Sequence, residues 1–323
     1  TEIYTLSLHD ALPICRIIIR TILVFWLGRS DLHKRWVRLL LVLLGLLLTL
    51  LLIGAAAFGI INRSNGSLNS SGEERHYLLY VPESYNPSVL TPLVISIHGF
   101  AEWPAHQMQI SGWNELADQY GFILVYPMGT DFPLRWRATG GEASLPLDVT
   151  FISDLIDKLS GEYNIDPARI YANGLFNGGG MSFMLACKLS ERIAAIGTVS
   201  GAYLLPWQEC NPARQVPAVI FHGTADPIVP YEGGPSQAFD IPFANIPQWV
   251  DILAERSGCD PIPRDLPHSG SVSGFEYENC QADVVFYSIE GGGHSWPGGE
   301  PLPEFITGPP TQDINATQVM WAF

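Results

Sequence analysis

Basic residues are scarce over most of this 323-residue chain. Six of its 17 lysines and arginines precede residue 39, whereas only three of its 32 acidic residues do. The remainder therefore carries 11 basic and 29 acidic side chains, a formal net charge of −18. Such a surface repels phosphate backbones, so nucleic-acid binding is not expected. The excess of acid needs no partner to explain it, because net charge of either sign favours solubility.

Charged residues are absent from Leu39 to Ile61, a run of 23 residues in which only Thr49 is polar. At about 1.5 Å per residue, a helix of this length spans a bilayer. Basic residues are concentrated just before the run, and only Arg63 follows it closely. This asymmetry predicts that the N-terminal side is cytoplasmic. The run is interpreted as a retained transmembrane anchor or as a signal peptide, with GAAAFG (54–59) supplying small residues for cleavage. In both cases the rest of the chain lies outside the cytoplasm.

Cysteine is also infrequent, with five residues, and their spacing is not typical of a zinc site. Four of the five follow the apolar run, and an even number in an exported domain predicts two disulfides. Four cysteines allow three pairings. We favour the most local one, Cys187 with Cys210 and Cys259 with Cys280.

The two ends of the chain need separate interpretation. Residues 1–14, TEIYTLSLHDALPI, match the translation of a common short-read sequencing adapter, so we interpret them as an artefact. Residues 15–38 are interpreted as a basic cytoplasmic flank, 39–61 as the apolar segment, and 62–75 as a polar linker. The folded domain is expected over 76–323. Because the chain stops within a helix-like pattern, QVMWAF, we expect this domain to continue beyond residue 323.

Past the linker, short apolar runs alternate with helical patterns. The helical patterns are WNELADQYG (113–121) and residues 148–163, whose apolar positions fall on one helical face. Strand-like runs cover 76–82, which is interpreted as an edge strand, and 92–99, 122–127, 169–174, 194–201, 217–223 and 284–294. This alternation predicts an α/β fold with a mostly parallel sheet and helices on both faces.

Three strand ends carry chemistry-bearing residues, at the edge of the sheet where such folds place their sites. In NGLFNGGGMS (173–182), Gly174 and Gly178 have the spacing of a G-x-S-x-G nucleophile elbow, but Phe176 occupies the position of the serine. Asp226 follows a later strand, and His294 lies in a glycine-rich loop after the last one. The order of elbow, acid and histidine is that of the α/β-hydrolase triad. Each residue alone has an ordinary structural explanation, whereas the combination favours a catalytic site.

In a triad, His294 would take a proton from the nucleophile and Asp226 would fix the tautomer of the histidine. The backbone N–H groups of Phe100 and Asn177 would stabilise the oxyanion. This chemistry requires no metal and no cofactor, and we expect neither.

The motifs resemble those of the exported esterases that include polyhydroxybutyrate depolymerases and feruloyl or acetylxylan esterases. The resemblance runs from about Glu74 to the C-terminus and rests on VISIHGFAEW, IDPARIYANGL-NGGGMS, ERIAAIGTVSGAYL, VIFHGTADPIVPYEGG and GGGHSWPGG. It implies an α/β-hydrolase fold, ester hydrolysis through Asp226 and His294, and Phe176 at the nucleophile's position. The implied substrates are polyesters or acylated plant polysaccharides.

Phe176 departs from the family pattern, and the chain as written is therefore expected to be nearly inactive. One C-to-T base change converts a serine codon to phenylalanine, so a sequence error or recent mutation is one explanation. A catalytically dead binding protein at the cell surface is the other. We favour the first because Asp226, His294 and the oxyanion segment are all present. A peptidase of the same fold is a further alternative.

Two segments, 134–149 and 237–249, are predicted to form loops over the pocket. Tryptophans in or near these loops and the strand ends are candidate substrate contacts, with ordinary packing as the alternative for each; they are Trp103, Trp136, Trp249 and Trp296.

Overall fold

The structure, a computed structural model, describes residues 32–61, 63–141 and 146–323. The chain divides into two units, Thr1–Ile60 and Ile61–Phe323, and each is described by itself. The interpretation of residues 1–14 as an artefact, and of 15–31 as a flank, lies outside the described residues. Part of the loop predicted over 134–149 does as well.

The first unit contains a long apolar helix, α1 (Leu32–Ile61). Its segment Arg35–Ala56 has a mean hydropathy of 2.9 over 22 residues, enough in length and composition to cross a membrane. A signal sequence close to an N-terminus has the same properties. The predicted apolar segment is thus helical, and both interpretations of it stand.

The second unit is built on a ten-stranded sheet in the order β1-β2-β4-β3-β5-β6-β7-β10-β9-β8. The six strands from β4 to β10 along this order are parallel, and the strands at both ends pair antiparallel. The strands are β1 (Gly66–Ser70), β2 (Glu73–Tyr80), β3 (Thr91–Ile97), β4 (Ile123–Pro127), β5 (Ile165–Leu175), β6 (Ala195–Val199), β7 (Ala218–Gly223), β8 (Arg264–Asp265), β9 (Val272–Tyr277) and β10 (Val284–Ile289).

Helices cover both faces of this sheet, as predicted. Successive residues of a strand point to opposite faces, so Val94 of β3 joins one apolar cluster while Ile95 joins the other. The helices of the second unit are α2 (Pro104–Ser111), α3 (Trp113–Tyr120), α4 (Leu147–Glu162), α5 (Asn177–Lys188), α6 (Ile246–Arg256), α7 (Glu304–Thr307) and α8 (Ala316–Ala322).

The N-terminal edge of the sheet differs from the prediction. Residues 66–70, within the predicted linker, form β1, and β1 pairs with β2, so the strand predicted at the edge is internal. Ser71 and Gly72 have φ of 53° and 83°, the two left-handed residues of a tight hairpin turn. The same serine, asparagine and glycine residues favour linkers and hairpins alike, which is why composition misled the prediction.

A second difference concerns the segment predicted as a loop over 237–249. It ends in a helix, because α6 begins at Ile246. The side chain of Asn245 caps this helix and accepts a hydrogen bond from the backbone N–H of Gln248 at 3.0 Å. Only the part before Asn245 remains a loop.

Two disulfides pair as favoured from the sequence. Cys187–Cys210 links the end of α5 to the loop before β7, and Cys259–Cys280 links the residues after α6 to the loop before β10. The bridges close segments with sequence separations of 23 and 21 residues.

We expect replacement of Cys187 and Cys210 by serine to lower the free energy of unfolding by about 3 kcal/mol, because the closed segment restricts the unfolded chain. Replacement of Cys259 and Cys280 should have a similar effect. Chemical unfolding with and without dithiothreitol measures both. The control is the variant without either bridge, whose stability should not respond to the reductant. Equal stability of oxidised and reduced wild-type chain would contradict the prediction.

Candidate active site

The turn between β5 and α5 has the backbone of a nucleophile elbow. Phe176 lies at its apex with φ 54° and ψ −113°, a conformation that residues other than glycine rarely adopt. The N–H of Phe176 donates to the carbonyl of Val199 at 3.0 Å, and its own carbonyl accepts from Ala202 at 2.9 Å and Gly180 at 3.0 Å. Such strain costs about 1–3 kcal/mol and persists only where neighbouring structure enforces it. These three backbone bonds supply that enforcement.

The elbow glycines are required by close contacts between backbones. A Cβ atom on Gly174 would overlap the backbone of Gly178 and the carbonyl of Ile97. A Cβ on Gly178 would overlap the same carbonyl and that of His98. The two glycines therefore let β5, α5 and the end of β3 approach one another, and no larger residue fits at either position.

Asp226 and His294 meet beyond the ends of β7 and β10. Oδ2 of Asp226 lies 2.8 Å from Nδ1 of His294. The other carboxylate oxygen accepts the N–H groups of Ile228 and Val229 at 2.8 and 2.9 Å. Burial alone would raise the pKa of Asp226, but the neighbouring His294 outweighs it and the pKa falls to about 2. An ionised Asp226 therefore orients the imidazole through its Nδ1 proton.

A buried histidine lies behind the acid. Nε2 of His222 is 2.9 Å from the carbonyl of Val229 and 3.5 Å from Oδ2 of Asp226. Burial lowers the pKa of His222, which favours the neutral ring. Because a carbonyl only accepts, the proton is on Nε2, and it also points toward the carboxylate.

A short helix, α7, holds the histidine loop. The N–H of His294 donates to the carbonyl of Thr307 at 2.5 Å, and the N–H of Gly293 donates to that of Pro309 at 2.8 Å. Gly308 packs against Gly293 and also against Pro227, beside the acid. The segment from Thr307 to Pro309 thus contacts both loops at once. No motif in the sequence marks it, so it was not predicted.

The ring of Phe176 fills the space in front of this pair. Its centroid lies 4.9 Å from that of His294, edge to face, and only 8% of the residue is exposed. The rings of Phe100, Phe239 and Phe243 surround it at 6.5, 5.6 and 6.5 Å. The nucleophile's position is therefore occupied by an apolar cluster that faces the imidazole.

The backbone N–H groups of Phe100 and Asn177 are the predicted oxyanion donors. Within the described ranges, neither N–H donates to another protein group. The carbonyl of Phe176, in the same peptide as the Asn177 N–H, is bonded to Ala202 and Gly180. In a trans peptide the C=O and N–H point in opposite directions, so this N–H points away from those partners. Both N–H groups could thus donate a hydrogen bond to a ligand.

His98 orients the peptide that carries the Phe100 N–H. Nε2 of His98 accepts the N–H of Gly129 at 2.9 Å, so its proton is on Nδ1 and is donated to the carbonyl of Gly99 at 2.7 Å. That carbonyl belongs to the same peptide as the Phe100 N–H. Full burial lowers the pKa of His98 to about 4, which keeps the ring neutral near neutral pH.

Three of the four candidate substrate contacts are contradicted by burial. Trp136, Trp249 and Trp296 are 3%, 3% and 2% exposed. The indole of Trp296 donates to Thr317, and Trp249 stacks on Tyr203 with ring centroids 3.5 Å apart. These rings contribute to packing, as large aromatic residues usually do. Trp103, half-buried before α2, remains a prediction.

An open groove of about 410 Å³ borders the acid loop. One side is formed by Ala225, Pro227 and Ile228, and the other by α7 with the exposed side chain of Phe305. Gln237 and Ala238 close its third side. The groove is mostly apolar and lies at the same edge of the sheet as the Asp226–His294 pair.

Comparisons with known proteins show a similarity to esterases. Residues 75–209 match the family model described as esterase PHB depolymerase. Among curated proteins, the bifunctional acetylxylan esterase/xylanase XynS20E of Neocallimastix patriciarum is 31% identical over 52% of this chain. The putative esterase NocK of Nocardia uniformis subsp. tsuyamanensis is 28% identical over 64% of it, and the probable feruloyl esterase C of Aspergillus terreus 29% over 76%.

The chain spans 24% of XynS20E, 66% of NocK and 87% of the Aspergillus terreus protein. A solved structure, acetyl xylan esterase from Aspergillus awamori, superposes with a TM-score of 0.55 at 16% identity, over 71% of this chain and 93% of that one. This likeness concerns the fold alone. The resemblance inferred from the motifs is confirmed, and the fold is that of the α/β-hydrolase esterases.

The buried histidines predict a loss of stability in weak acid. His98 has a pKa of 6.5 when unfolded and about 4 when folded, so only the unfolded state binds its proton between these values. The contribution of His98 to the free energy of unfolding is therefore complete above about pH 6.5. It declines as the pH falls toward 4, by about 3 kcal/mol in total. Chemical unfolding between about pH 7.5 and 4.5 measures it.

A His98→Gln variant should show a shallower decline of unfolding free energy over this range. The exposed His268, changed to glutamine, is the matched control and should leave the decline as it is in the parent chain. Identical pH profiles for the parent and the His98 variant would contradict the assignment. Asp226 adds a separate loss at lower pH, between its unfolded value of 3.8 and about 2.

Proposed function

We propose that this chain has the fold and active-site framework of an exported serine-type carboxylic ester hydrolase. Phe176 occupies the position of the nucleophile. One observation carries the proposal: an elbow backbone at residue 176 faces an imidazole whose Nδ1 is bonded to a buried, ionised Asp226. The names of the relatives support ester substrates, in particular feruloyl esters and acetylated xylan. A polyester is a further candidate from the family description.

With serine at position 176, the geometry performs acyl transfer in two steps. Nε2 of His294 takes the hydroxyl proton as the oxygen attacks the ester carbonyl, and the N–H groups of Phe100 and Asn177 bind the oxyanion. The protonated His294 then donates to the leaving alkoxide. Water, deprotonated by the same imidazole, releases the acid and restores the serine. The apolar groove beside Asp226 suits the less polar portion of such an ester.

With phenylalanine at this position, turnover is expected to be very low. The side chain has no nucleophilic atom, and loss of the serine from a triad costs about a million-fold. Its ring also fills space that the acyl carbon requires. We infer a sequence error or recent mutation rather than a long-established loss, because Asp226 and His294 are hydrogen-bonded and the Phe100 and Asn177 N–H groups have no other partner among the described residues.

The alternative is a catalytically dead binding protein at the cell surface. The aromatic cluster of Phe100, Phe176, Phe239 and Phe243 favours it, because this cluster could hold a planar ligand without cleaving it. Both alternatives place the second unit outside the cytoplasm, since disulfides persist in oxidising compartments and α1 suits export or anchoring. If α1 is not cleaved, the membrane is a partner of the protein.

We expect Phe176→Ser to raise turnover of short-chain p-nitrophenyl esters at least about a thousand-fold above the chain as written. The elbow conformation already exists, so the serine hydroxyl would face Nε2 of His294. Phe176→Ala removes the ring without supplying a nucleophile, and it should remain near background. Phe176→Ser with His294→Ala should lose the gain.

A Phe176→Ser chain that is folded but inert on esters would contradict the proposed function. Retention of feruloyl or acetyl esters without turnover, by both the serine and the phenylalanine forms, would favour the binding protein. Cleavage of peptide amides in preference to esters would instead indicate a peptidase.

A further inference from the structure

We propose that Trp136 is a positioning residue, and that it fixes the distance between the two oxyanion donors. This inference rests on the proposed function, because it concerns how the same site holds the developing charge. The two donors come from different parts of the chain, Phe100 after β3 and Asn177 after β5. The two loops must be held at a fixed separation, and Trp136 is hydrogen-bonded to both.

The side chain of Trp136 contacts the first loop. Its indole N–H donates to the carbonyl of His98 at 3.0 Å, two residues before Phe100. The ring is buried, parallel to that of Phe151, and its centroid lies 5.2 Å from that of His98. A rigid, close-packed indole transmits its own position to the His98–Gly99 peptide, since packed side chains leave no room to adjust.

The backbone of Trp136 contacts the second loop. Its N–H donates to Oδ1 of Asn177 at 2.6 Å, and its carbonyl accepts from Nδ2 of the same side chain at 3.1 Å. These paired bonds hold the residue whose own N–H is the second donor. Substitution of this asparagine by a residue without both groups would break one or both bonds.

Trp136 is itself anchored by buried charge. The neighbouring Arg137 N–H donates to Oδ2 of Asp148 at 2.7 Å, and Asp148 is fully buried. Arg75 of β2 pairs with this carboxylate at 2.9 Å. The preceding residue, Arg135, exchanges two backbone hydrogen bonds with Thr130 at 2.9 and 3.1 Å. The position of Trp136 is therefore fixed relative to the sheet.

These hydrogen bonds of Trp136 affect the stability of the transition state more than the binding of the ester. The oxyanion carries a full charge only in the tetrahedral state, and the two N–H groups must then be within hydrogen-bond distance of one atom. A small error in their separation weakens that state while leaving ground-state binding almost unchanged. We therefore expect a loss in kcat with little change in KM.

The experiment is Trp136→Phe in the Phe176→Ser background, which keeps an aromatic ring but removes the indole N–H. We expect kcat for a p-nitrophenyl ester to fall about 10- to 100-fold, with KM within about two-fold. Inhibition by a boronic acid, whose serine adduct places an oxygen between the donors, should weaken by a similar factor. Trp249→Phe is the matched control, a buried tryptophan stacked on Tyr203, and should change neither quantity.

A second readout does not depend on activity. In the chain as written, the backbone amide NMR signals of Phe100 and Asn177 should both shift in Trp136→Phe, and neither should shift in Trp249→Phe. Unmoved signals would overturn the inference, whatever the serine enzyme does. Unchanged kcat in Trp136→Phe, with an active Phe176→Ser parent, would overturn it too. An inert Phe176→Ser parent contradicts the proposed function instead, and the amide signals then decide the role of Trp136.

Discussion

The site depends on the close approach of three backbones at the end of the parallel sheet. Gly174, Gly178 and the carbonyl of Ile97 are in such contact that a single additional carbon atom would separate them. This approach allows β5 to turn into α5 over one residue, and it forces that residue into a left-handed conformation. The other two parts of the site, the His98 loop and the loops after β7 and β10, are arranged around this turn. The backbone therefore determines the elbow, independently of the side chain at its apex.

That independence explains how phenylalanine is accommodated at position 176. Its strained conformation is held by bonds to Val199, Ala202 and Gly180, all through backbone atoms. The Phe176 side chain points from the turn toward the imidazole of His294 and packs against the rings of Phe100 and Phe239. A residue that removes the nucleophile thus meets little resistance from the fold. Stability and catalysis place separate demands on this position, as is common at active sites.

The central strands and the site were predictable from sequence for one physical reason. Strands buried on both faces are continuous apolar runs, as in LVISI and VIFHG, and their ends are marked by glycine turns. The candidate site residues lie at those ends, so locating the strands located Asp226, His294 and the elbow. The hairpin formed by β1 was not predicted because its turn residues are also typical of linkers. Strand β8 was missed because it has only two residues, both exposed, and β9 because its sequence VSGFEY mixes polar and apolar side chains with a glycine.

The role of the tryptophans could not be predicted, since indole rings suit both packing and ligand contacts and only burial distinguishes them. Trp136 was expected to contact a substrate. It is instead buried and hydrogen-bonded to the two loops that carry the predicted oxyanion donors. Its hydrogen bonds join residues 98 and 177, which are far apart in sequence, and no spacing rule relates them. The same holds for the segment from Thr307 to Pro309, which contacts the histidine loop only through backbone atoms.

The buried charges offer a physical argument about the history of this site. Burying an ionised carboxylate is a poor way to stabilise a fold, because the loss of its hydration costs free energy that hydrogen bonds must offset. The Asp226–His294 pair is nevertheless buried, with the carboxylate also bonded to two backbone N–H groups. Each of these bonds would be needed to hold an imidazole ready for proton transfer. We infer that the pair was shaped by catalysis, and that Phe176 is a later change to a framework built for a serine.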